Sequence, residues 1–413
     1  MKLFKKTIFT GFAPNITKKD ISISLSFLLF PWNWLKLKNG SCGKKVLNFL
    51  KNYFDANVFL FDSGRSSLYF ALKSLGVKKG DEVLVQAYTC VVVINAIKWT
   101  GAKPIFVDIN DDFNIDIFDL KKKLSNKSKV LILQHTFGLP ADIDSALKIS
   151  KEYGIKVIED CAHSLGVRYK NKLTGTFADI GMLSFGSDKV ISCIRGGALI
   201  TNDEKISKKL AQYQDNLKNC GIIKIIQHLL QIPIFKIGKR FYSLGIGKWL
   251  LYFSKLFNIV NRIVYNQEKR GKKVPFYPTK LPNALACLLF YQLNNLEKRN
   301  EHRKKIAKKY FNLIDNKKVK LPIEDKNHLY LRFTLITDQR EKLKKIAKEE
   351  NIILGDWYDC VIAPKDINMK ATGYNYGSCP KAEELAGKSI NLPTNLNIGN
   401  NEVNRIVAVV NNL

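Results

Sequence analysis

Short apolar runs alternate with amphipathic stretches from about residue 57 onward. The runs are nearly continuous in hydrophobicity, which is typical of strands covered on both faces, and lie at Val58–Phe61, Glu82–Gln86, Pro104–Asp108, Val130–His135 and Lys156–Asp160. Between them, helical spacing of apolar residues marks Ser66–Ser74, Val91–Thr100, Ile115–Leu124 and Asp142–Tyr153. This alternation predicts an α/β protein with a central, mostly parallel sheet sandwiched by helices.

The pattern changes after Asp160. Short strand-like runs without long helices between them predict a meander-like part of the sheet at Gly166–Tyr169, Met182–Phe185 and Ala198–Thr201. A long helical pattern then begins near Leu285 and continues to Leu313, and a small α+β region follows with elements at Tyr330–Ile336, Arg340–Asn351 and Asn401–Val410. We therefore expect a large domain over residues 1–280, and a long helix with a smaller C-terminal α+β domain over residues 281–413.

Residues 216–267 differ from the rest of the chain in charge. This segment, the basic insert, contains no aspartate or glutamate, and its basic residues are Lys218, Lys224, Lys236, Lys239, Arg240, Lys248, Lys255 and Arg262. Aromatic and aliphatic residues lie between them, so the insert could bind an anionic membrane surface. A pair of helices that covers a dimer partner or the mouth of an active site fits the same pattern.

The whole chain is also strongly basic, with 67 lysines and arginines against 36 acidic residues. Such an excess favours anionic partners, although lysine, asparagine and isoleucine are frequent throughout, as in a chain-wide compositional bias. Because no helix-turn-helix, zinc module or aromatic RNA platform is recognisable, we expect no specific nucleic-acid binding.

The spacing of the cysteines and the pattern of the N-terminal residues indicate the cellular location of the protein. None of the eight cysteines forms a C-x-x-C pair, which predicts reduced, mostly buried thiols with neither a metal site nor a disulfide framework. We expect no secretory signal. Pro31 and Asn33 interrupt the most apolar run, Ile21–Leu35, so we expect no membrane span. The expected location is cytoplasmic, with peripheral contact at the inner membrane face as the open alternative.

Two residues and one turn have the features of a cofactor-binding site. Asp160 ends a predicted parallel strand, where open α/β sheets bind ligands, and a carboxylate there can hold the ring nitrogen of pyridoxal phosphate (PLP) protonated. Lys189 follows a strand and, if partly buried, would be a neutral amine able to form an imine. The turn 62–68, rich in serine, can cradle a phosphate. Each feature alone has an ordinary explanation, namely a strand end, a solvated lysine or a helix cap.

Together these features resemble the DegT/DnrJ/StrS-type sugar aminotransferases, a fold-type-I PLP family, over roughly residues 50–205 and 281–413. The matching segments are Gly80-Asp-Glu-Val, Asn95-Ala-Ile, Gly101-Ala-Lys-Pro-Ile-Phe-Val-Asp, His135-Thr-Phe-Gly-Leu-Pro-Ala-Asp, Glu159-Asp-Cys-Ala-His-Ser-Leu-Gly, Asp179-Ile-Gly-Met-Leu-Ser-Phe, Cys379-Pro-Lys-Ala-Glu-Glu-Leu-Ala and Asn391-Leu-Pro.

The resemblance implies a role for each matching residue. Lys189 would be the catalytic lysine that holds PLP as a Schiff base and moves the proton during transfer. Asp160 would pair with the pyridine nitrogen, His163 would lie near the 3-oxygen of the ring, and Ser184 would bind the phosphate. The implied activity carries an amino group from an amino acid, with glutamate as the expected donor, to a keto-sugar nucleotide for surface polysaccharide synthesis. A homodimer with active sites at the subunit interface is also implied.

The chain departs from the family at several of these positions. Gly64 and Arg65 match the phosphate-binding turn, but Arg65 replaces a threonine or serine, and we hypothesise that its guanidinium reaches the phosphate. Cys90 stands where an aromatic residue usually stacks on the cofactor ring, so Tyr88 is the expected substitute. An asparagine that crosses between subunits in relatives would fall near Pro278.

Two other functions stay open at this point. The dehydratase branch of the family replaces the catalytic lysine, typically by histidine, so Lys189 counts against dehydration. A regulatory or scaffold protein that kept the fold and lost turnover is compatible with the departures at Cys90, Arg65 and Pro278.

Overall fold

A seven-stranded sheet forms the centre of the protein, whose computed structural model describes residues 6–413. From one edge to the other the strands are Asn57–Phe61, Gly197–Thr201, Ile180–Ser184, Lys156–Asp160, Ser128–Gln134, Glu82–Gln86 and Lys103–Val107. Only Gly197–Thr201 runs against the others, since it pairs antiparallel with both of its neighbours. The predicted α/β class with a mostly parallel sheet is confirmed.

Helices cover both faces of this sheet, and its strands are therefore buried on both sides. One apolar layer contains Phe61, Leu68 and Ile94, and another contains Leu60, Leu183 and Leu285. The helices of the first 215 residues are Lys18–Leu29, Cys42–Phe54, Gly64–Ser74, Val91–Lys98, Ile117–Lys123, Ile143–Glu152 and Glu204–Asp215, with 3-10 helices at Pro31–Lys36 and Thr136–Gly138. The predicted central elements agree with these bounds to within a few residues.

The segment after Asp160 only partly follows the meander prediction. Ile180–Ser184 lies parallel to the preceding strand of the sheet and then pairs antiparallel with Gly197–Thr201. The prediction was wrong for Gly166–Tyr169, because the chain leaves the sheet there and Arg168–Tyr169 forms a small hairpin with Lys172–Leu173.

Three further pairs of short strands lie outside the main sheet. They join Ile8–Phe9 to Ile352–Ile353, Thr89–Cys90 to Ile362–Ala363, and Phe333–Ile336 to Ser389–Leu392. The first two pairs attach C-terminal segments to the N-terminal segment and to the start of the helix Val91–Lys98, so the C-terminal part of the chain packs against the sheet domain near its strand ends.

The predicted single long helix from Leu285 to Leu313 is wrong. The structure has two helices, Asn283–Leu293 and Leu296–Leu313, separated by Asn294 and Asn295. Asparagine is a weak helix former that favours helix ends, because its side chain competes for backbone hydrogen bonds. The remaining helices are Arg340–Glu349, Met369–Thr372, Pro380–Lys388 and Asn400–Asn411. The last part of the chain has its own apolar cluster, but the domain boundary at residue 280 stays a prediction.

A disulfide between Cys42 and Cys287 corrects the prediction that all cysteines are reduced. The two residues lie on the packed helices Cys42–Phe54 and Asn283–Leu293, with their Cα atoms 5.0 Å apart. Their separation of 245 residues leaves no local signature, which is why the spacing did not reveal the bond. The other six cysteines are free thiols.

The basic insert folds into two helices, Ile222–Arg240 and Ile246–Leu256, followed by the short helix Asn266–Lys269. The first packs against Lys18–Leu29, and the second packs against the first. No helix within residues 6–413 has both the length and the apolar character needed to cross a membrane.

Candidate active site

The carboxyl ends of neighbouring strands bring the predicted site residues together. Asp160 and Ser184 end two adjacent parallel strands, with Met182 in register beside Asp160. Lys189 follows in the loop that leads to the antiparallel strand. Gly64 comes after the edge strand, and a Cβ atom built on it would lie 2.9 Å from the Ser184 side chain. Four positions separated by up to 125 residues in sequence therefore share one edge of the sheet.

The start of the helix Gly64–Ser74 presents backbone N–H groups of the kind that bind a phosphate, and we call this place the cradle. Ser63 caps this helix by accepting a hydrogen bond from the Ser66 N–H, while the first-turn N–H groups have no acceptor within the helix. Gly197 lies so close that a Cβ atom there would be 2.6 Å from the Gly64 nitrogen. Within residues 6–413, the Ser184 hydroxyl makes no hydrogen bond. The cradle thus offers several donors to an anion.

Asp160 is suited to a protonated ring nitrogen. The residue is 3% exposed, and its Oδ1 accepts the Ala162 N–H at 3.0 Å. Oδ2 has no hydrogen-bond partner in the part of the chain that the structure describes. Burial raises the pKa of this carboxyl, while the Ala162 N–H and the charge of Lys189 act in the opposite direction. A cationic partner at Oδ2 would favour the ionised form further.

Lys189 is partly buried, and its loop is held in place from several sides. Its N–H donates to the Gly186 carbonyl at 3.2 Å, and the Asn15 amide donates to its carbonyl at 2.6 Å. Burial lowers the pKa of the amine, although Asp160 and Cys90 oppose the shift. A larger share of the side chain is therefore neutral near physiological pH than for an exposed lysine. Nζ lies 5.0 Å from the centre of the Trp357 ring.

His163 is buried next to this amine and is neutral. Burial lowers its pKa well below the usual value, and the charges of Lys189 and Arg332 lower it further. Its Nδ1 accepts the Phe137 N–H at 3.3 Å, so the proton of the neutral ring is on Nε2. The imidazole stacks on Phe137 and on Trp357, with ring centres 6.0 and 5.5 Å away.

Tyr88 does not offer the open aromatic surface that the sequence suggested. It is fully buried, and its hydroxyl lies 2.9 Å from the Ser389 hydroxyl and donates to the Trp357 carbonyl at 3.1 Å. The same oxygen accepts the Tyr358 N–H at 2.9 Å. Tyr88 is therefore a support for the segment 357–358. Cys90 is partly buried near Lys189, and burial raises the pKa of its thiol.

Arg65 does not direct its guanidinium to the phosphate cradle as hypothesised. Nη1 donates to the buried Glu268 carboxylate, and Nη2 donates to the Ile263 carbonyl at 2.6 Å. An unscreened carboxylate in a buried place attracts the guanidinium more strongly than an open cradle does. Only the backbone of Arg65 remains at the start of the helix.

Sequence reasoning missed two residues of the site, Trp357 and Arg332. The Arg332 Cζ lies 5.1 Å from the Trp357 ring centre, and the same ring contacts Lys189 and His163. Both residues come from the C-terminal part of the chain, more than 140 residues after Lys189. The sequence offered only one indication of a functional role, namely the residue types. Arg332 lies in a strand-like run and Trp357 in a loop.

A buried cluster behind Asp160 has the composition of a metal site but a different construction. One potential ligand atom from each of His135, Glu159 and Cys161 lies within 4.8 Å of the others. The Glu159 carboxylate already accepts N–H groups of Gly175 and Phe177 at 2.8 and 2.7 Å, and His135 Nε2 lies 3.2 Å from it. These bonds indicate a structural network that supports the strand end, and the absence of a metal stays a prediction.

Comparison with known proteins agrees with this geometry. The model of the DegT/DnrJ/EryC1/StrS aminotransferase family matches residues 37–231 and 257–411. The chain belongs to this family. It is therefore a PLP-dependent aminotransferase of the α/β fold described above. Between the two matched segments, residues 232–256 are unmatched, and all of them lie within the basic insert.

Relatives with assigned names are similar along most of this aminotransferase. GDP-perosamine synthase of Escherichia coli O157:H7 is 27% identical, over 84% of this chain and 83% of its own. dTDP-3-amino-3,6-dideoxy-alpha-D-galactopyranose transaminase of Aneurinibacillus thermoaerophilus is also 27% identical, with the same coverage. The "Pleiotropic regulatory protein" of Geobacillus stearothermophilus is 26% identical, over 80% of this chain and 78% of its own.

Solved structures of other aminotransferases have the same fold. The PLP form of a putative sugar aminotransferase from Streptococcus pneumoniae superposes with a TM-score of 0.74, at 19% identity, over 100% of this chain and 98% of that one. DesV of S. venezuelae, in complex with a ketimine intermediate, gives a TM-score of 0.73 at 22% identity, over 95% and 94% of the two chains.

The Arg65–Glu268 pair gives a first testable prediction for the aminotransferase. Burial acts to raise the Glu268 pKa, but Arg65 and the Tyr265 N–H outweigh it and lower the pKa. A lowered pKa in the folded state means that this pair stabilises the fold above the unfolded-state pKa, and that the contribution is lost as pH falls through the folded-state pKa. Glu268→Gln leaves a buried arginine without its counter-charge and should cost about 3–5 kcal/mol at neutral pH.

Urea unfolding measures this cost, with Glu384→Gln as the matched control. Glu384 forms exposed ion pairs with two lysines, and its replacement should change stability by no more than about 0.5 kcal/mol. The difference between Glu268→Gln and the native protein should shrink in acid. Equal losses for the two variants would show that the buried pair contributes nothing.

Proposed function

We propose that this aminotransferase transfers the amino group of glutamate to the keto group of a sugar nucleotide, in the biosynthesis of a surface glycan. The observation that carries the proposal is the meeting of Lys189, Asp160, Ser184 and Gly64 at one edge of the sheet. The names of the relatives, a GDP-sugar synthase and a dTDP-amino-sugar transaminase, support a keto-sugar nucleotide as the acceptor.

The site residues fit PLP, and each would hold a different part of it. The N–H groups of Gly64 and Arg65 and the Ser184 hydroxyl would bind the phosphate. Asp160 Oδ2, which lacks another partner, would bind the pyridine nitrogen, and His163 Nε2–H would lie near the 3-oxygen. When bound, PLP supplies an electron sink that stabilises negative charge on the substrate carbon next to nitrogen.

Lys189 would form the covalent link to the cofactor, and its Nζ would accept and return the proton that moves during transfer. Because burial lowers its pKa, a larger share of Nζ is unprotonated than in an exposed lysine, and the unprotonated amine can act as a nucleophile. Released from that link, the neutral Nζ can accept a proton and return it a short distance away. A protonated ring nitrogen beside Asp160 would keep this carboxyl ionised, so Asp160 is not required to move a proton.

Covalent attachment of PLP to Lys189 is the first test of this function. The native protein should gain a visible absorption band with PLP, and borohydride reduction followed by mass spectrometry should place the label on Lys189. L-Glutamate should bleach the band within one half-reaction. Lys189→Ala should show neither the band nor the label, whereas Lys79→Ala, a change in an exposed loop, should behave as the native protein does. A protein that takes up PLP without any lysine label would move the regulatory function to the front.

We propose that the enzyme is a homodimer whose active sites lie at the subunit interface. The family resemblance supports this, as does the presence of large apolar side chains on the surface of the single chain. Sedimentation equilibrium of the PLP-loaded protein should give twice the chain mass of 47.1 kDa. A monomer mass at micromolar concentration, with the half-reaction intact, would contradict the proposal.

We also propose that the basic insert makes peripheral contact with an anionic membrane at its cytoplasmic face. The helix Ile246–Leu256 and its C-terminal end expose a set of apolar and aromatic side chains: Ile246, Trp249, Tyr252, Phe253, Leu256 and Phe257. Trp249, 62% exposed, lies in a segment without acidic residues. Trp32 is 66% exposed and lies in the 3-10 helix Pro31–Lys36, which packs against Lys18–Leu29, the helix that also contacts Ile222–Arg240 of the insert. Aromatic residues together with positive charge are the combination that an anionic interface binds. The disulfide is unusual for a cytoplasmic protein and is the observation against this location.

Vesicle flotation tests the membrane contact. The native protein should float with phosphatidylglycerol-containing vesicles at moderate salt, and not with phosphatidylcholine alone. Trp249→Ser combined with Phe253→Ser should reduce the floated fraction several-fold, since each change removes apolar area that the membrane would bury. Tyr376→Ser, a change of an equally exposed aromatic residue elsewhere, should not. Flotation that is absent, or that is the same for all three proteins, would sink the proposal and leave these side chains to a protein contact.

A further inference from the structure

A cavity of about 460 Å³ lies apart from the candidate active site. It is lined by the N-terminal segment 6–14, by the end of the helix Ile222–Arg240 with the turn that follows, and by residues 397–402 around the start of the helix Asn400–Asn411. None of the residues assigned to the candidate active site lines it. Its volume falls within the range of about 300–1,000 Å³ that is usual for ligand sites.

The basic insert supplies three cations to the lining of this cavity. Lys236, Lys239 and Arg240 lie at the end of the helix Ile222–Arg240, and the spacing of three and four residues from Lys236 places them on one face. Lys236 and Arg240 make no hydrogen bond or ion pair within residues 6–413. Like charges at this spacing repel one another, so an anion bound between them would stabilise the end of the helix.

Lys239 is partly buried without a counter-ion. Its Nζ donates to the Ala13 carbonyl at 3.1 Å, and no carboxylate of the described chain lies within 4 Å of it. Burial lowers its pKa to about 8, and the charge of Lys236 lowers it further, whereas the charge of Asp188 opposes the shift. Burying an ammonium group without a counter-ion is costly, and a bound anion would offset that cost.

The N-terminal side of the cavity contributes a hydrogen-bond donor. Thr7 lines the cavity and is only 7% exposed, and its buried hydroxyl has no hydrogen-bond partner in the described part of the chain. The carboxylate in the lining, that of Glu402, is already neutralised, since it pairs with Lys6 at 2.9 Å and accepts the Gly399 N–H at 3.0 Å. The lining therefore offers an unsatisfied hydroxyl and an excess of positive charge.

The cavity also has an apolar part. Ile8, Phe9 and Ile398 are buried in its wall, while Phe241 and Leu244, in the turn after the helix, are 39% and 38% exposed. An inorganic anion would leave this apolar surface in contact with water, whereas an organic group would cover it. The lining thus fits an anion that carries an apolar or aromatic group.

We propose that this cavity binds a phosphate ester with an apolar organic part, such as a free nucleotide or the headgroup of a phospholipid. The phosphate oxygens would accept hydrogen bonds from Lys236, Lys239 and Arg240 and from the Thr7 hydroxyl. A phosphate presents several charged oxygen atoms, and a guanidinium matches two of them at once. All three cations lie within residues 232–256, which the family model leaves unmatched. The site is therefore a feature of the insert and does not depend on the proposed reaction.

Calorimetric titration of the PLP-loaded protein tests this site, because PLP then occupies the cradle at Gly64. UDP, GDP and dTDP probe the free nucleotide, and dihexanoyl phosphatidylglycerol below its micellar concentration probes the lipid headgroup. Lys236→Gln combined with Arg240→Gln should weaken binding of the successful probe roughly 10-fold or more, since two charged contacts are lost. Thr7→Val, which keeps the shape and the charge, should weaken it roughly 5- to 10-fold.

The matched control removes the same charge elsewhere. Lys205 and Lys208 are exposed on the helix Glu204–Asp215 and do not line the cavity, so Lys205→Gln with Lys208→Gln should bind the probe as the native protein does. All variants should keep the PLP absorption band and the native unfolding temperature within a few degrees, which excludes loss of the fold as the cause.

Two results would overturn the proposal. One is the absence of binding by every probe at millimolar concentration. The other is probe binding that the cavity variants retain at native affinity, since such binding belongs to another site, for example the acceptor site for the sugar nucleotide. Binding by a nucleotide alone would assign the cavity to a free phosphate ester, and binding by the phospholipid alone would assign it to a membrane lipid.

Discussion

The cost of burying charge governs how this active site is arranged. Each charged group that the fold takes out of water needs a compensating partner, and most find one within the chain. The Glu268 carboxylate pairs with the Arg65 guanidinium, and the Glu159 carboxylate accepts hydrogen bonds from backbone N–H groups. At the candidate site, Asp160 Oδ2 and the Lys189 amine have no hydrogen-bond partner within residues 6–413, and the Arg332 guanidinium makes only one hydrogen bond. These are groups that a cofactor and a substrate would complete, which supports the assignment of the site.

The cradle at Gly64 depends on close packing between two backbone segments. The antiparallel strand Gly197–Thr201 crosses between the edge strand and its parallel neighbours, and Gly197 brings its backbone against Ser63 and Gly64. Any larger residue at position 197 would clash with the turn whose N–H groups would bind the phosphate. The sheet order and the phosphate site are therefore one construction, in which the absence of side chains matters as much as their presence.

Local patterns made much of this structure predictable. The strand Lys156–Asp160 was expected at the bounds observed, because its apolar run ends abruptly in two acids. Asp160 and Lys189 were predicted as site residues from their places after strands, and Ser184 from the family resemblance; the structure places all three at the same edge of the sheet. Trp357, Arg332 and the Cys42–Cys287 bond were not found, since each depends on packing between segments far apart in sequence. The direction of the Arg65 side chain was mispredicted because its partner, Glu268, lies 203 residues away.

The Cys42–Cys287 bond closes the chain into a covalent ring. Every strand of the seven-stranded sheet, the loop of Lys189 and both helices of the basic insert lie inside this ring, whereas Arg332 and Trp357 lie on the tail outside it. A single protease cut anywhere between the two cysteines would therefore leave the protein as one molecule until a reductant is added. A cut after Cys287 would instead leave the tail, which carries Arg332 and Trp357, without a covalent link to the ring. The two halves of the active site thus differ in how they survive breakage of the backbone.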